Sequence, residues 1–176
     1  MASYVRPPPG SETFARTLPM PETVNLEVAC LCGRTSGTIT GCLFNHHICH
    51  CAQCKMISGG THAEFLCIRN DQLQIRARFQ CYDYVFGIDH TRLYRCNACS
   101  TPIYTMILGQ GVEPPAIKVF VGCLTNTAWL DNHQPDFEQS VLRRCAWLPA
   151  LARPEEGSEP QPRTTETELE LVPRDS

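Results

Sequence analysis

Apolar and polar residues alternate over residues 24–30, where Asn25 and Glu27 separate Val24, Leu26 and Val28. A period of two predicts a strand with one buried face. Residues 35–42, rich in Thr, Gly and Ile, suit a second strand paired to the first across a turn at Cys32-Gly33. Further short β-like runs fall at 62–68, 73–75, 79–86, 93–95, 102–108 and 117–122, with Gly, Pro, Asn or Asp between many of them. One short helix is expected from Ala52 to Ser58, stopped by Gly59 and Gly60. No repeat recurs at a fixed period. The pattern predicts an all-β domain with one short helix.

Both ends depart from this pattern. Residues 1–23 contain Pro7-Pro8-Pro9 and Leu18-Pro19-Met20-Pro21 and read as an extended arm. From Pro154 the chain carries seven acidic and two basic residues and few apolar ones, a composition that cannot bury enough surface to fold alone. Residues 152–176 are therefore expected to form a disordered acidic tail, and 24–151 the folded domain. The formal charge of −3 divides accordingly, because the residues before Pro154 hold eleven acidic and thirteen basic groups. That near-neutral body has no stripe of Lys and Arg with interleaved aromatics, so nucleic acid is not the expected partner. No stretch approaches the ~18 apolar residues that span a bilayer. The N-terminus has no apolar core of signal-peptide length. A cytoplasmic protein is expected, with no membrane partner and with an oligomeric state the sequence leaves open.

Twelve cysteines in 176 residues fit either a disulfide scaffold or metal binding. Reducing surroundings and tight spacing favour metal. Seven fall in three clusters: Cys30-x-Cys32, Cys49-His50-Cys51-x-x-Cys54 and Cys96-x-x-Cys99. Two, three and two thiolates divide into one complete set of four and one of three. Residues two apart on a strand share a face, so Cys30 and Cys32 can reach one ion, as can Cys49 and Cys51 with His50 turned away. A Cys-x-x-Cys turn is a common zinc half-site. The arrangement predicts two Zn²⁺ per chain, a structural one on Cys30, Cys32, Cys96 and Cys99, and one with an open position on Cys49, Cys51 and Cys54. An open position is the usual mark of a catalytic zinc.

The ordered set Cys30-Leu31-Cys32-Gly33, Cys49-His50-Cys51-Ala52-Gln53-Cys54-Lys55-Met56-Ile57-Ser58-Gly59 and Cys96-Asn97-Ala98-Cys99 resembles the glutathione-dependent formaldehyde-activating enzyme family, which includes centromere protein V. The resemblance covers about residues 24–125. It implies a β-tent of small antiparallel sheets around the zinc sites, with the outer four cysteines structural and the central three catalytic. One departure is Ser100, where the family usually has Gly after the last Cys-x-x-Cys. The chemistry implied is that of a carbon–sulfur lyase acting on a glutathione or other thiol adduct of a reactive carbonyl, with a secondary-metabolite setting open because many relatives act there. Three thiolates already leave a bound Zn²⁺ with a net charge of −1. That favours positioning or release of a thiol over strong polarisation of a carbonyl.

Beside the ligands, His50, His62 and Glu64 are the candidates for catalytic acid or base. His50 is the best placed to orient or protonate near a metal. His46 and His47 are expected to cap a turn. Lys55 and Arg95 flank the clusters, as solvated surface charges or as attractors of a carboxylate. Cys42, Cys67, Cys81, Cys123 and Cys145 fit small buried hydrophobes. Two other classes stay open: a zinc enzyme performing dehydration, hydrolysis or rearrangement of a sulfur-free metabolite, and a non-catalytic zinc scaffold or chromatin-binding module.

Overall fold

The computed structural model describes residues 23–86, 89–108 and 115–155; the expected N-terminal arm, apart from Thr23, and the tail beyond Glu155 lie outside the described residues. Strands β1 (Thr23–Ala29), β2 (Ser36–Cys42) and β5 (Leu73–Arg76) form a three-stranded antiparallel sheet in the order β1-β2-β5. The alternation of β1 produces its packing: Val24, Leu26 and Val28 are buried while Thr23, Asn25 and Glu27 are exposed. Gly37 lets β2 approach β5 closely, since a Cβ there would lie 2.3 Å from the Gln74 carbonyl oxygen.

The second sheet has seven strands: β3 (Asn45–Cys49), β4 (Ala63–Arg69), β6 (Phe79–Phe86), β7 (Asp89–Cys96), β8 (Pro102–Leu108), β9 (Ala116–Phe120) and β10 (Phe137–Gln139). Their order is β10-β3-β4-β9-β8-β7-β6. Every pairing is antiparallel except β10 with β3, which is parallel. The fold is thus all-β, as the alternation predicts. Its centre is β4 and β9, where Phe65, Leu66, Ile68, Ile117 and Val119 are fully buried and Phe65 packs on Phe120 at 4.8 Å between ring centroids. Helix α1 (Ala52–Ser58) ends as expected at Gly59, whose left-handed φ of 71° lets its N–H close on the Lys55 carbonyl at 2.9 Å.

Three elements lay outside the expected runs. Strand β3 falls between two of them, strand β10 is three residues long and mostly polar, and helix α2 (Thr127–Asn132) is a single capped turn and a half, its Ala128 N–H met by the Asn126 side chain. Because β10 covers the outer edge of β3, β3 becomes an interior strand. This corrects the expectation for His46 and His47. Both lie within β3 and are buried; His47 stacks on Phe137 at 5.3 Å, and burial lowers its pKa to about 3. Cys67 and Cys123 are buried, but Cys81 is exposed, because its side of β6 is not covered.

Candidate metal centres

The outer cluster forms where two chain turns meet. Cys30 follows β1, and the turn through Gly33, whose N–H bonds the Cys30 carbonyl at 3.0 Å, brings Cys32 back beside it. Cys96 ends β7, and its own turn closes with the Ser100 N–H on the Cys96 carbonyl at 2.9 Å. The four sulfurs lie within 4.8 Å of one another, with Cys30–Cys32 at 3.4 Å and Cys32–Cys96 at 3.8 Å. A tetrahedral zinc with bonds of about 2.3 Å needs sulfurs about 3.8 Å apart, so this donor set fits one ion. The surrounding groups favour thiolates. The Thr101 hydroxyl, 3.1 Å from Cys99, and the Thr101 backbone pull the Cys99 thiol down to about 5. The Thr35 N–H bonds the Cys30 sulfur at 3.2 Å. Cys32 has the Arg34 N–H to stabilise its thiolate, yet crowding by Cys30 pushes it up to about 11. Four negative sulfurs cannot share this space without a cation.

The central cluster is local. Cys49 ends β3, Cys51 is the N-cap of α1, and Cys54 sits in that helix's first turn. The Cys51 sulfur accepts the Cys54 N–H at 3.3 Å, and the helix N-terminus favours negative charge there. Hydrogen bonds from Cys49 and Cys54 pull Cys51 down to about 2, whereas Cys54, donating to its neighbours, is pushed up. The three sulfurs lie within 4.8 Å of one another, and among the described residues no fourth His, Cys, Asp or Glu joins them. Both clusters can therefore hold a metal ion, one with four protein ligands and one with three.

The polar candidates are divided by the sheet. Cys49 is in register with Ala63 and Ile48 with Glu64, so Glu64 projects from the face opposite Cys49. There its carboxylate meets His46 Nε2 at 2.7 Å, which turns Glu64 away from the cysteine trio. His50 lies on that same side, fully buried, with its ring 5.6 Å from that of His62; His62 Nδ1 is 3.0 Å from the Thr61 hydroxyl. Burial lowers the His50 pKa against the pull of Glu138.

Lys55 and Arg95 are not solvated charges. Lys55 Nζ donates to the Arg143 carbonyl at 2.5 Å, and Arg95 donates to the carbonyls of Ile57 and Ser100, so both pin helix α1.

Three groups escaped the sequence. Tyr84 of β6 is half-buried; burial first, then the charge of Cys54, Cys51 and Cys49, raises the pKa of its hydroxyl, which hydrogen-bonds the Thr91 side chain. Period-two alternation marked Tyr84 as a strand residue but not which sheet neighbour it would face. Glu138 is fully buried on β10 and accepts from Arg144 Nη1 at 2.5 Å and from the N–H groups of Leu151 and Ala152. Burial alone would raise its pKa, but these donors outweigh it and hold the carboxyl below its usual range. Arg144 had no sequence signal at all.

Against known proteins, no curated sequence matches the chain. The model of the family described as glutathione-dependent formaldehyde-activating enzyme matches residues 25–141, a span that contains both cysteine clusters, most of β1, β2 through β10 and Glu138. With two-thirds of its length under that match and all seven cysteines gathered as the motifs require, the chain belongs to the glutathione-dependent formaldehyde-activating enzyme family.

Proposed function

We propose that the protein is a zinc-dependent carbon–sulfur lyase-type enzyme acting on a thiol adduct of a reactive carbonyl, with glutathione as the first thiol to consider. The observation that carries this reading is the central trio: three sulfurs within 4.8 Å and no fourth protein donor gathered to them among the described residues. Cys49, Cys51 and Cys54 would hold the zinc, which with three protein ligands would keep an open position and favour the deprotonated form of an incoming thiol.

The chain's own residues supply the rest. The first turn of α1 fixes Cys51 and Cys54 relative to Cys49, with the Cys54 N–H as the clamp. Lys55, Gln53 and Arg95 hold that helix against the Arg143 carbonyl, the Val85 carbonyl and the β7–β8 turn, so the sulfurs do not drift. Tyr84, half-buried and held protonated by its raised pKa, would donate a hydrogen bond to a carbonyl or leaving oxygen beside the trio, with Thr91 as its resting partner. His50 and His62 support the motif from behind.

Cobalt substitution tests the reading. Added glutathione, or its adduct with formaldehyde, should change the visible spectrum of the cobalt-loaded protein as a fourth sulfur joins the central site. An unchanged spectrum, alongside turnover of a sulfur-free metabolite, overturns the thiol reaction. An unchanged spectrum without turnover of any kind supports a scaffold instead.

A further inference from the structure

Glu138 is a carboxylate with no exposed surface, on a three-residue strand beside the central motif. Such a group is costly to bury unless it is paired, and here the pairing is elaborate. One oxygen accepts from the Leu151 and Ala152 N–H groups at 2.5 and 3.2 Å, and the other from Arg144 Nη1 at 2.5 Å. The backbone of Glu138 is also tied on both sides, its N–H to the Arg153 carbonyl at 2.7 Å and its carbonyl to the Glu155 N–H at 3.0 Å. Residues 152–155 thus run beside β10, against the expectation that they begin a disordered tail.

The oxygen held by Arg144 also faces His50 Nε2 at 3.7 Å. Both ring nitrogens of His50 are buried, and neither reaches a partner at full hydrogen-bond geometry among the described residues; the Thr61 backbone is the other group beside the ring that favours a proton on it. The His50 backbone N–H meanwhile donates to the Gln139 carbonyl at 3.1 Å, so β10 grips His50 by backbone and side chain together. A bare nitrogen lone pair facing a carboxylate in a dry interior is repulsive; a proton on Nε2 makes the contact attractive, whatever the net charge of the ring. Arg144, Leu151 and Ala152, which close the clamp, all lie beyond the span that matches the family.

We infer that the segment from β10 to Glu155 is a brace in which Glu138, fixed by Arg144, holds a proton on His50 Nε2 and thereby positions the Cys49-His50-Cys51 segment. Glu138 and Arg144 are positioning residues, acting on the cysteines through His50. The part concerning the sulfurs rests on the central cluster holding a metal, as proposed above.

The test uses the full chain in two measurements. The first is ¹⁵N–¹H correlation of the histidine rings, assigned with a His50→Gln variant. The native protein should show the His50 proton on Nε2, and Glu138→Ala should move or lose it while Arg144→Lys keeps it. A His50 ring with Nε2 bare in the native protein, or unaltered in a folded Glu138→Ala variant, overturns the pairing. The second is cobalt affinity at each cluster. Outer contacts to groups beside a metal ligand alter affinity by about 10–100-fold. Glu138→Ala and Arg144→Ala should weaken the central cluster by that factor and leave the four-cysteine cluster within about twofold, and Arg144→Lys should weaken the central cluster less than Arg144→Ala. Equal weakening at both clusters would mean a general loss of stability and overturn the positioning role. A native central cluster that takes up no cobalt would sink the metal reading, and the ring measurement would then still decide the Glu138–His50 contact by itself.

Discussion

Ser100 stands at φ 59°, in the left-handed region, at the turn that closes the outer cysteine cluster. Glycine adopts that conformation without a Cβ penalty. A residue with a Cβ is disfavoured in this region by about 1–2 kcal/mol. Restoring glycine removes that penalty but adds backbone freedom to the unfolded chain, at a cost of about 0.5–1 kcal/mol. The Ser100 side chain is exposed, and both backbone bonds of the residue, from its N–H to Cys96 and from Arg95 to its carbonyl, survive the change. The net effect of Ser100→Gly should be a gain of about 0.5–1 kcal/mol. For a chain of this size that raises Tm by about 1–4 °C. Thermal unfolding of the reduced, metal-loaded protein measures it, with Ser100→Val as the opposite control. Valine should lower Tm, because a β-branched residue tolerates positive φ poorly. An unchanged or lower Tm for glycine, with valine tolerated, would refute the claim that this turn stores strain.

Elemental analysis of reduced protein should find two zinc ions per chain. Cys96→Ser should lose one ion and much of the thermal stability, while Cys51→Ser should lose one ion and the activity with a smaller fall in Tm; equal losses would refute the division of roles. Tyr84→Phe should retain both metals and lower kcat by about tenfold or more, read by steady-state kinetics against metal content. Glu138→Ala should cost about 3–5 kcal/mol in urea unfolding at neutral pH, as removal of one member of a buried ion pair does. Because its pKa is depressed in the fold, the contribution of Glu138 is complete above the ordinary carboxyl value of 4.5 and fades as pH falls through the lower folded value. The gap between native and Glu138→Gln proteins should therefore narrow in acid, with Arg144 and His50 as the charged groups facing it.

How far the sequence carried depends on the range of each interaction. Local alternation was enough for β1, β2, β6 and β8, and the glycines after Ser58 were enough for α1. Cysteine spacing alone grouped the seven sulfurs correctly, because each half-site is a short turn whose geometry is local. What failed was nonlocal. His46 and His47 looked like turn residues until β10, ninety residues later, covered the edge of β3. Glu64 looked close to Cys49 by number, but the pairing of Ile48 with Glu64 and Cys49 with Ala63 puts the two on opposite faces. Lys55 and Arg95 looked like surface charges because their acceptors are backbone carbonyls, which carry no mark in a sequence.

The two clusters differ in what they ask of the chain. Cys32 and Cys96 are 64 residues apart, so the outer set can assemble only when the β1–β2 hairpin has met the β7–β8 turn. An ion bound there bears the cost of closing that loop and stabilises the folded chain over the open one. The central set spans six residues at the end of β3 and the start of α1, where closing the loop costs little. A metal there adds less to folding and has no need of a fourth protein ligand for the fold's sake. It does need a fixed arrangement of three sulfurs. The contacts of Lys55, Arg95 and Gln53 with α1, and of Glu138 with His50, converge on that requirement from opposite sides. With metals bound as proposed, stability would be concentrated at the long-range cluster and rigidity at the local one, a division that would leave the three-cysteine site free to exchange a fourth ligand.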